Sequence, residues 1–440
     1  MDTVLSETAG FNPALPTLMH IDLNSCFATI EQQANPRLRG NPVAVAAYTS
    51  PGGCILAASI EAKRLGIKTG MRVQDGRSLC PALVVLPPDP WKYRFVNRKL
   101  LFLAREYCAE ADVLSIDEIV LQFAGSPYLN CFTGTEKETR EAMQTAAREI
   151  KNRIKREIGE WLTVSVGIAS NRYLAKVASG LHKPDGLDEI TKENIEEILK
   201  KLALEELCGI KKGYASRLRC FGIHSALDFY RASIGTLRLA FRSITGHHWW
   251  MRLHGWEADD RRFGRKSFGH SYALYTPLAP GDLVVRQILC QLVEKMGFRL
   301  RANGYKTQGI HVSTLFSDYS HWHHGQKLQV PVYAGSDLYK AALEILATAP
   351  EKPIRILSVT CFNLVRNMHE QLMFFENGNR KQKLTHALDT IAMRWGDGTL
   401  IPGRMLSMPA KILDRIAFGG VAGLEEFVYR EPYTYEPDEN

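Results

Sequence analysis

Four residues, Ser115-Ile116-Asp117-Glu118, constrain this chain more than any other stretch. They interrupt an apolar run from Val113 to Phe123. An ionised carboxylate in such a run carries a large desolvation penalty unless a partner offsets it. Neighbouring side chains on a regular strand point to opposite faces. Asp117 and Glu118 therefore serve one site only if the backbone bends there, as at a hairpin tip. Paired carboxylates at a bend beside hydrophobic strands suit a hard cation such as Mg2+, which takes oxygen ligands and borrows others from phosphates. A solvated turn that happens to carry two charges is the simpler reading of the same residues.

At 440 residues the chain is long enough for several domains. A net charge of +8 and a pI of about 8.9 suit a polyanionic partner without requiring one. The nine cysteines, at 26, 54, 80, 108, 131, 208, 220, 290 and 361, are odd in number and lack the short paired spacings of a zinc site. Reduced thiols in a cytoplasmic protein are the expectation. No apolar stretch reaches the roughly 18 residues of a membrane span. Residues 1–16 have no basic end and no apolar centre, so they read as a loose leader and not a signal peptide.

Leu18 to Leu23 reads as a buried strand with Leu18, His20 and Asp22 on one face. A turn into a helix follows, with Asn24 or Ser25 as its cap. Free N–H groups at a helix start directly after an acid-bearing strand offer a seat for phosphate; an ordinary strand-to-helix connection looks the same in sequence. Val43–Tyr48 and Ile55–Ser59 read as strands around a turn at 49–53, and Glu61–Gly66 as a short helix ended by glycine. Tyr93–Tyr107 and about Glu138–Ile158 carry helical stripes. Thr163–Ile168 alternates like a strand, and Ser170-Asn171 cap a helix that runs through Gly180. Lys176 lies on that helix and Lys183 in the turn Lys183-Pro184-Asp185-Gly186.

Residues 186–250 are helical and basic. Gly209 and Gly213 bound a hairpin between helices, with Lys211 and Lys212 in it; such a hairpin presents N–H groups to a DNA phosphate without reading sequence. Trp256–Lys266 reads as a charged linker. Gln308–Leu315 and Ile354–Leu364 read as strands, and Leu283–Leu300 and Leu338–Ala349 as helices, with Arg299, Arg301 and Arg355 supplying positive charge. A metal site at His321-Trp322-His323-His324 is not expected from the histidine cluster alone. Gln371–Phe375 is a short apolar plug, Leu384, Leu388, Ile391 and Trp395 stripe a helix, and the acidic end after Arg430 is expected to be disordered.

Seven separated stretches, in this order, give the chain a resemblance to the Y-family translesion DNA polymerases over about residues 17 to 375. They are His20–Phe27, Ala58–Lys63, Leu114–Glu118, Ser165–Asn171, Lys183–Gly186, the glycine hairpin near 209–213 and Lys266–Gly269. The resemblance implies an α+β, multidomain right-hand polymerase architecture. In it, 17–25 and 90–185 form a palm with a ferredoxin-like sheet, and 26–89 form small fingers. Residues 186–256 form a helical thumb with a helix-hairpin-helix, 257–266 a linker, 267–366 an α/β little finger, and 367–440 a tail.

The same resemblance implies roles. Asp22, Asp117 and Glu118 would be catalytic and, with the Leu23 carbonyl, would bind two Mg2+, for which Mn2+ substitutes. Ser25, Cys26, Phe27, Ser59, Lys63, Arg64 and Lys183 would bind the deoxynucleoside triphosphate, with Phe27 as a steric gate against the ribose 2′-hydroxyl. Gly209, Lys211, Lys212, Gly213, Arg299, Arg301 and Arg355 would bind primer-template DNA. Gln371, Leu372, Phe374 and Phe375 would dock on a sliding clamp. The protein would act as a monomer without a membrane partner. Ile60, Lys63 and Ala57 replace a commoner tyrosine, arginine and threonine, and Lys63 lacks the bidentate fork of arginine. A non-catalytic DNA-binding scaffold of the same family is the competing reading, and a two-metal nuclease is a weaker third.

Overall fold

The computed structural model describes residues 10–130, 135–259, 266–366, 376–395 and 399–406. The described chain divides into two compact units, one ending near residue 261 and one beginning there.

The first unit is built on a five-stranded sheet of order β5-β6-β1-β7-β8. Its centre is β1 (Leu18–Leu23), buried at all six positions. It runs antiparallel to β6 (Glu118–Gln122) and β7 (Val164–Ala169). β5 (Ala111–Val113) pairs with β6, and β8 (Leu187–Glu189) runs parallel to β7. Alternation along β1 divides the core in two. Met19, Ile21 and Leu23 join Ile119, Leu121 and three helices, α1 (Cys26–Ala34), α4 (Pro90–Tyr107) and α6 (Glu136–Arg153), on one face. Leu18 and Val120 join α7 (Arg172–Leu181) on the other. Each fully buried Leu, Ile or Met contributes about 1.5–3 kcal/mol, which fixes the strand register and hence the position of the acids.

A small three-stranded sheet, β3-β2-β4, lies between α1 and α4 in sequence. It consists of β2 (Val43–Ala46), β3 (Ile55–Ala58) and β4 (Val84–Leu86), with the short helices α2 (Ile60–Arg64) and α3 (Val73–Leu79). A four-residue helix, α5 (Pro127–Asn130), precedes α6. Thr135 starts α6 with a reciprocal capping box to Glu138, so the helix begins two residues before the sequence expectation. It ends at Arg153, and Ile154–Ile158 form a wider π-helical turn.

Among the described residues five further helices belong to this unit: α8 (Ile195–Lys201), α9 (Lys212–Arg219), α10 (Ala226–Arg231), α11 (Ile234–Phe241) and α12 (Thr245–Leu253). Phe229 and Trp249 each stack on Phe241 at their centre and meet each other tilted. Two sequence readings need correction here. Gly213 is the second residue of α9 and not part of the connection, which runs from α8 through a 3-10 turn, Leu204–Glu206, to Lys211. The leader is not loose from residue 10 onward. Asn12 N–H donates to the His254 carbonyl at 2.8 Å, its Nδ2 donates to Gly255 at 2.9 Å, and Trp256 Nε1 donates to Gly10 at 2.9 Å.

The second unit is an antiparallel sheet, β11-β10-β12-β9, with helices packed on one face. Its strands are β9 (Ser267–Leu278), β10 (Tyr305–Phe316), β11 (His321–Val332) and β12 (Ile354–Arg366). Helices α13 (Leu283–Ala302) and α14 (Gly335–Leu346) fill the core with Leu, Ile, Val and Met. α15 (Glu376–Trp395) follows, held by the Arg301–Asp389 and Lys381–Asp337 pairs. Its stripe residues Leu384, Leu388 and Trp395 remain exposed. The plug Gln371–Phe375, residues 260–265 of the expected linker and the end after Arg430 lie outside the described residues.

Candidate active site

Strand pairing brings the expected acids together. Asp22 on β1 is the register partner of Glu118 on β6, and residues directly opposite in an antiparallel pair point to the same face with Cβ atoms about 4.5–5.5 Å apart. Asp117 occupies the bend just before β6, and its carbonyl accepts the Leu23 N–H at 2.9 Å. The bend is a hairpin tip, as the sequence requires: Leu114 N–H donates back to the Glu118 carbonyl at 3.0 Å. Two features hold it in shape. Asn97 on α4 donates from Nδ2 to the Ile116 carbonyl at 3.0 Å, and the Ser115 hydroxyl donates to Asp117 Oδ1.

Each acid sits in a different electrostatic setting. Lys183 Nζ lies 2.5 Å from Asp22 Oδ2. Lys176 Nζ lies 2.8 and 2.7 Å from the two Glu118 oxygens. Burial pushes the Glu118 carboxyl up, but His20 and Lys176 outweigh it and hold the carboxyl down at about 2. His20 Nε2 stands 3.9 Å away, too far for a hydrogen bond, so the bidentate ammonium is the dominant partner. Asp117 goes the other way. Burial raises its carboxyl above the ordinary range, and the charges of Asp22 and Glu118 add to that, against the Ser115 hydrogen bond.

A cavity of about 450 Å3 opens beside these acids. Asp22, Leu23 and Asp117 line one side of it; Glu118 does not line it. Ser25, Cys26 and Phe27, at the start of α1, form its floor. Neither expected cap operates there. Ser25 adopts a left-handed conformation, with φ 52°, and makes no side-chain cap bond. Asn24 turns inward to Ser165 and Asp185. The first N–H groups of the helix therefore rely on something other than a cap. Lys63, Arg64 and Lys183 add positive charge to the wall. Burial and the neighbouring Lys183 push the Lys63 ammonium below its ordinary value. Leu56, Ala57, Ile60 and Thr69 complete the wall with mostly apolar atoms.

Phe27 is buried at the cavity edge and stacks on Tyr93 of α4, with ring centroids 4.3 Å apart and planes 11° from parallel. Tyr93 in turn donates its hydroxyl to Glu31 Oε1 at 2.9 Å, and Lys92 Nζ lies 2.8 Å from Oε2. The ring of Phe27 thus has a rigid backing anchored by a buried polar network.

The oxygen donors open to a hard divalent cation are Asp22, Asp117 and the backbone at Leu23, with Glu118 beside Asp22 on the sheet; Lys183 and Lys176 already pair with Asp22 and Glu118. Among the described residues no group of three or more His, Cys, Asp or Glu side chains is placed to hold a metal ion, so a cation here would need further ligands such as substrate phosphates. A Mg2+ site completed by substrate phosphates has this character.

Some expected site residues are engaged elsewhere. Ser59 is fully buried, and its hydroxyl accepts the Ala62 N–H as the cap of α2, so it does not reach the cavity. Arg301 is bound by both Asp389 oxygens, at 2.6 and 2.7 Å, and by the Tyr333 carbonyl, so its charge is spent inside the second unit. Arg355 donates to the Tyr319 hydroxyl at 2.7 Å. Lys211 and Lys212 are exposed at the start of α9, and Gly209 takes φ 87° against the Trp249 ring, where a Cβ would come within 3.1 Å of a ring atom. Sequence reasoning missed Asn24, Tyr93 and the role of Lys176. Only the position of Asn24, two residues beyond an acid on a strand, marked it.

The impB/mucB/samB family matches residues 21–180, and its C-terminal domain matches residues 265–374. DNA polymerase IV of Pelotomaculum thermopropionicum is 30% identical over 403 residues, covering 89% of this chain and 96% of the relative. DNA polymerase IV 1 of Bacillus subtilis is 27% identical over 399 residues, covering 88% and 93%. A solved Y-family DNA polymerase chimera of Dbh and Dpo4 is similar in fold, with a TM-score of 0.67 and 24% identity over 80% of this chain and 99% of that one. An insertion ternary complex of Dbh DNA polymerase gives 0.53 at 23% identity, with the same shares covered.

Proposed function

Because the chain belongs to the impB/mucB/samB family, the bacterial Y-family DNA polymerases, and is a DNA-directed DNA polymerase of the translesion type, we propose that it extends primers past damage, with low fidelity, by nucleotidyl transfer that two Mg2+ ions or their Mn2+ replacements support. The observation that carries this reading is that Asp22 and Asp117 line a cavity floored by a helix start, with Glu118 the register partner of Asp22 behind them.

When bound, the two cations lower the proton affinity of the primer 3′-hydroxyl and offset charge on the triphosphate. Asp22, Asp117, Glu118 and the Leu23 carbonyl would hold them. The residues of the chain bind and orient. The first N–H groups of α1, at Cys26 and Phe27, seat phosphate oxygens. Lys63, Arg64 and Lys183 offset the remaining charge, each as part of a wall that already faces Asp22 or Asp117. Phe27, held flat against Tyr93, blocks the space of a 2′-hydroxyl and selects deoxynucleotides. The apolar wall of Leu56, Ala57 and Ile60 holds a base by contact alone, which favours tolerance of altered bases over discrimination.

In this reading the five-stranded sheet is the palm, the β2–β4 insert the fingers, α8–α12 the thumb and the second unit the little finger. Gly209, Lys211 and Lys212 engage a DNA phosphate, while Arg299 and Arg355 add positive charge in the second unit. Gln371, Leu372, Phe374 and Phe375 form the clamp-binding peptide, and the protein works as a cytoplasmic monomer. No described helix is long and apolar enough to cross a membrane. The test is extension of a primed template with Mg2+ and four deoxynucleotides, comparing wild type with Asp117→Ala. Extension by the wild type and none by the variant is expected. No extension by either favours a DNA-binding scaffold.

A further inference from the structure

Asn24 is 3% exposed and ties together three pieces of the first unit. Its backbone N–H donates to the Thr163 carbonyl at 2.9 Å, and its carbonyl accepts the Thr29 hydroxyl at 2.7 Å. The side chain does more. Nδ2 donates to Ser165 Oγ at 2.9 Å, and Oδ1 accepts the Asp185 N–H at 2.8 Å. Ser165 Oγ also accepts the Gly186 N–H, at 3.3 Å. The two partners fix which way the amide points. Asp185 and Gly186 belong to the same tight turn as Lys183, whose ammonium faces Asp22 two residues before Asn24.

We propose that Asn24 is a positioning residue that pins the Lys183 turn to the end of the strand carrying Asp22, and through Lys183 sets the affinity of the site for a nucleoside triphosphate. This rests on the reading of Lys183 as a triphosphate ligand. The turn has other restraints: Lys151 Nζ lies 2.5 Å from the Asp185 carbonyl and Lys155 Nζ 2.9 Å from Asp185 Oδ2. Those hold its far side to α6 and the turn after it. Asn24 supplies the side-chain link to the strand end itself. Truncating it leaves the Asp185 N–H without its acceptor in a part-buried position, which the turn relieves by moving. An aspartate at 24 keeps the acceptor for Asp185, and Ser165 can turn its hydroxyl to donate to it.

The test is single-nucleotide incorporation at saturating Mg2+ by Asn24→Ala, Asn24→Asp, Lys183→Ala and the Asn24→Ala/Lys183→Ala double variant. Asn24→Ala should raise KM for the nucleotide about 10- to 100-fold with kcat within a few-fold. Asn24→Asp should stay within a few-fold of wild type. The double variant should be no worse than Lys183→Ala alone. In the absence of nucleotide, exchange of the Asp185 amide hydrogen should quicken at least about tenfold in Asn24→Ala and not in Asn24→Asp.

Multiplying effects in the double variant, a loss confined to kcat, or an aspartate as damaging as alanine would overturn the proposal. If Lys183→Ala leaves KM unchanged, the assignment of Lys183 falls and takes this inference with it. If Lys183→Ala raises KM and Asn24→Ala does not, the inference alone falls. Should Asn24→Ala fail to fold, Ser165→Ala removes the other partner of the amide, and the same non-additive rise in KM is expected.

Discussion

Replacing Lys176 with methionine keeps the apolar stem and removes the charge that faces Glu118. A carboxyl held at about 2 where 4.5 is ordinary carries about 3 kcal/mol of preference for its charged form. Lys176 is 32% exposed and Glu118 17%, so solvent screening brings the share of the pair to about 2 kcal/mol at pH 7. The sign follows from the direction of the shift. An acid lowered on folding contributes stability that is complete above pH 4.5 and disappears as pH falls through about 2. Lys176→Met should therefore lower the stability of the first unit by about 2 kcal/mol at pH 7, by roughly half as much at pH 3, and by nothing once Glu118 is protonated in both proteins. Urea unfolding at matched pH, read by pulsed amide exchange in peptides from β1 and β6, isolates this unit from the other. A stability difference that stays constant from pH 7 to pH 3, or none at pH 7, would refute the claim that the ammonium holds the carboxyl down.

Other outcomes follow from the same geometry. Asp117→Asn keeps the Ser115 contact but removes the charge, and should reduce extension at least about 1000-fold while changing DNA affinity less than threefold in a filter-binding titration. Phe27→Ala removes the ring that Tyr93 supports, and should raise ribonucleotide incorporation relative to deoxynucleotide at least tenfold in competition assays; unchanged sugar selection would remove the gate. The Lys211→Ala/Lys212→Ala double variant should flatten the dependence of log affinity for duplex DNA on log salt by about 1.8. Arg301→Ala should leave that slope unaltered and destabilise the second unit by about 2–4 kcal/mol, because it strands Asp389 in a part-buried position.

The acidic hairpin, the central strand and the long helices were readable because each carries a strong period bounded by a turn or a cap. Asp22 and Glu118 met as expected because burial on both faces of β1 leaves the register no freedom. Several strands escaped, among them the three-residue β4 and β8 and the two long strands β9 and β11. β9 and β11 are edge strands whose residues are largely exposed, so neither shows apolar alternation, and the histidines of β11 read as a cluster of ligands or nothing at all. Ser59 and Arg301 looked like binding groups because hydroxyl and guanidinium are suited to it. Only the folded chain shows their donors and acceptors already taken by Ala62 and Asp389. Tyr93 read only as the start of a helical segment, and its role depends on Glu31, sixty-two positions away in sequence.

The tether between residues 10–12 and 254–256 makes the first unit a closed ring of chain in all but covalent bonds. Joining two ends that already touch adds little ordering cost, whereas separating them releases a loop of more than 240 residues. Protein engineering should respect that seam. A purification tag placed ahead of residue 10 leaves it alone, while trimming past Asn12 unfastens the last helix of the bundle and exposes the Trp256 indole.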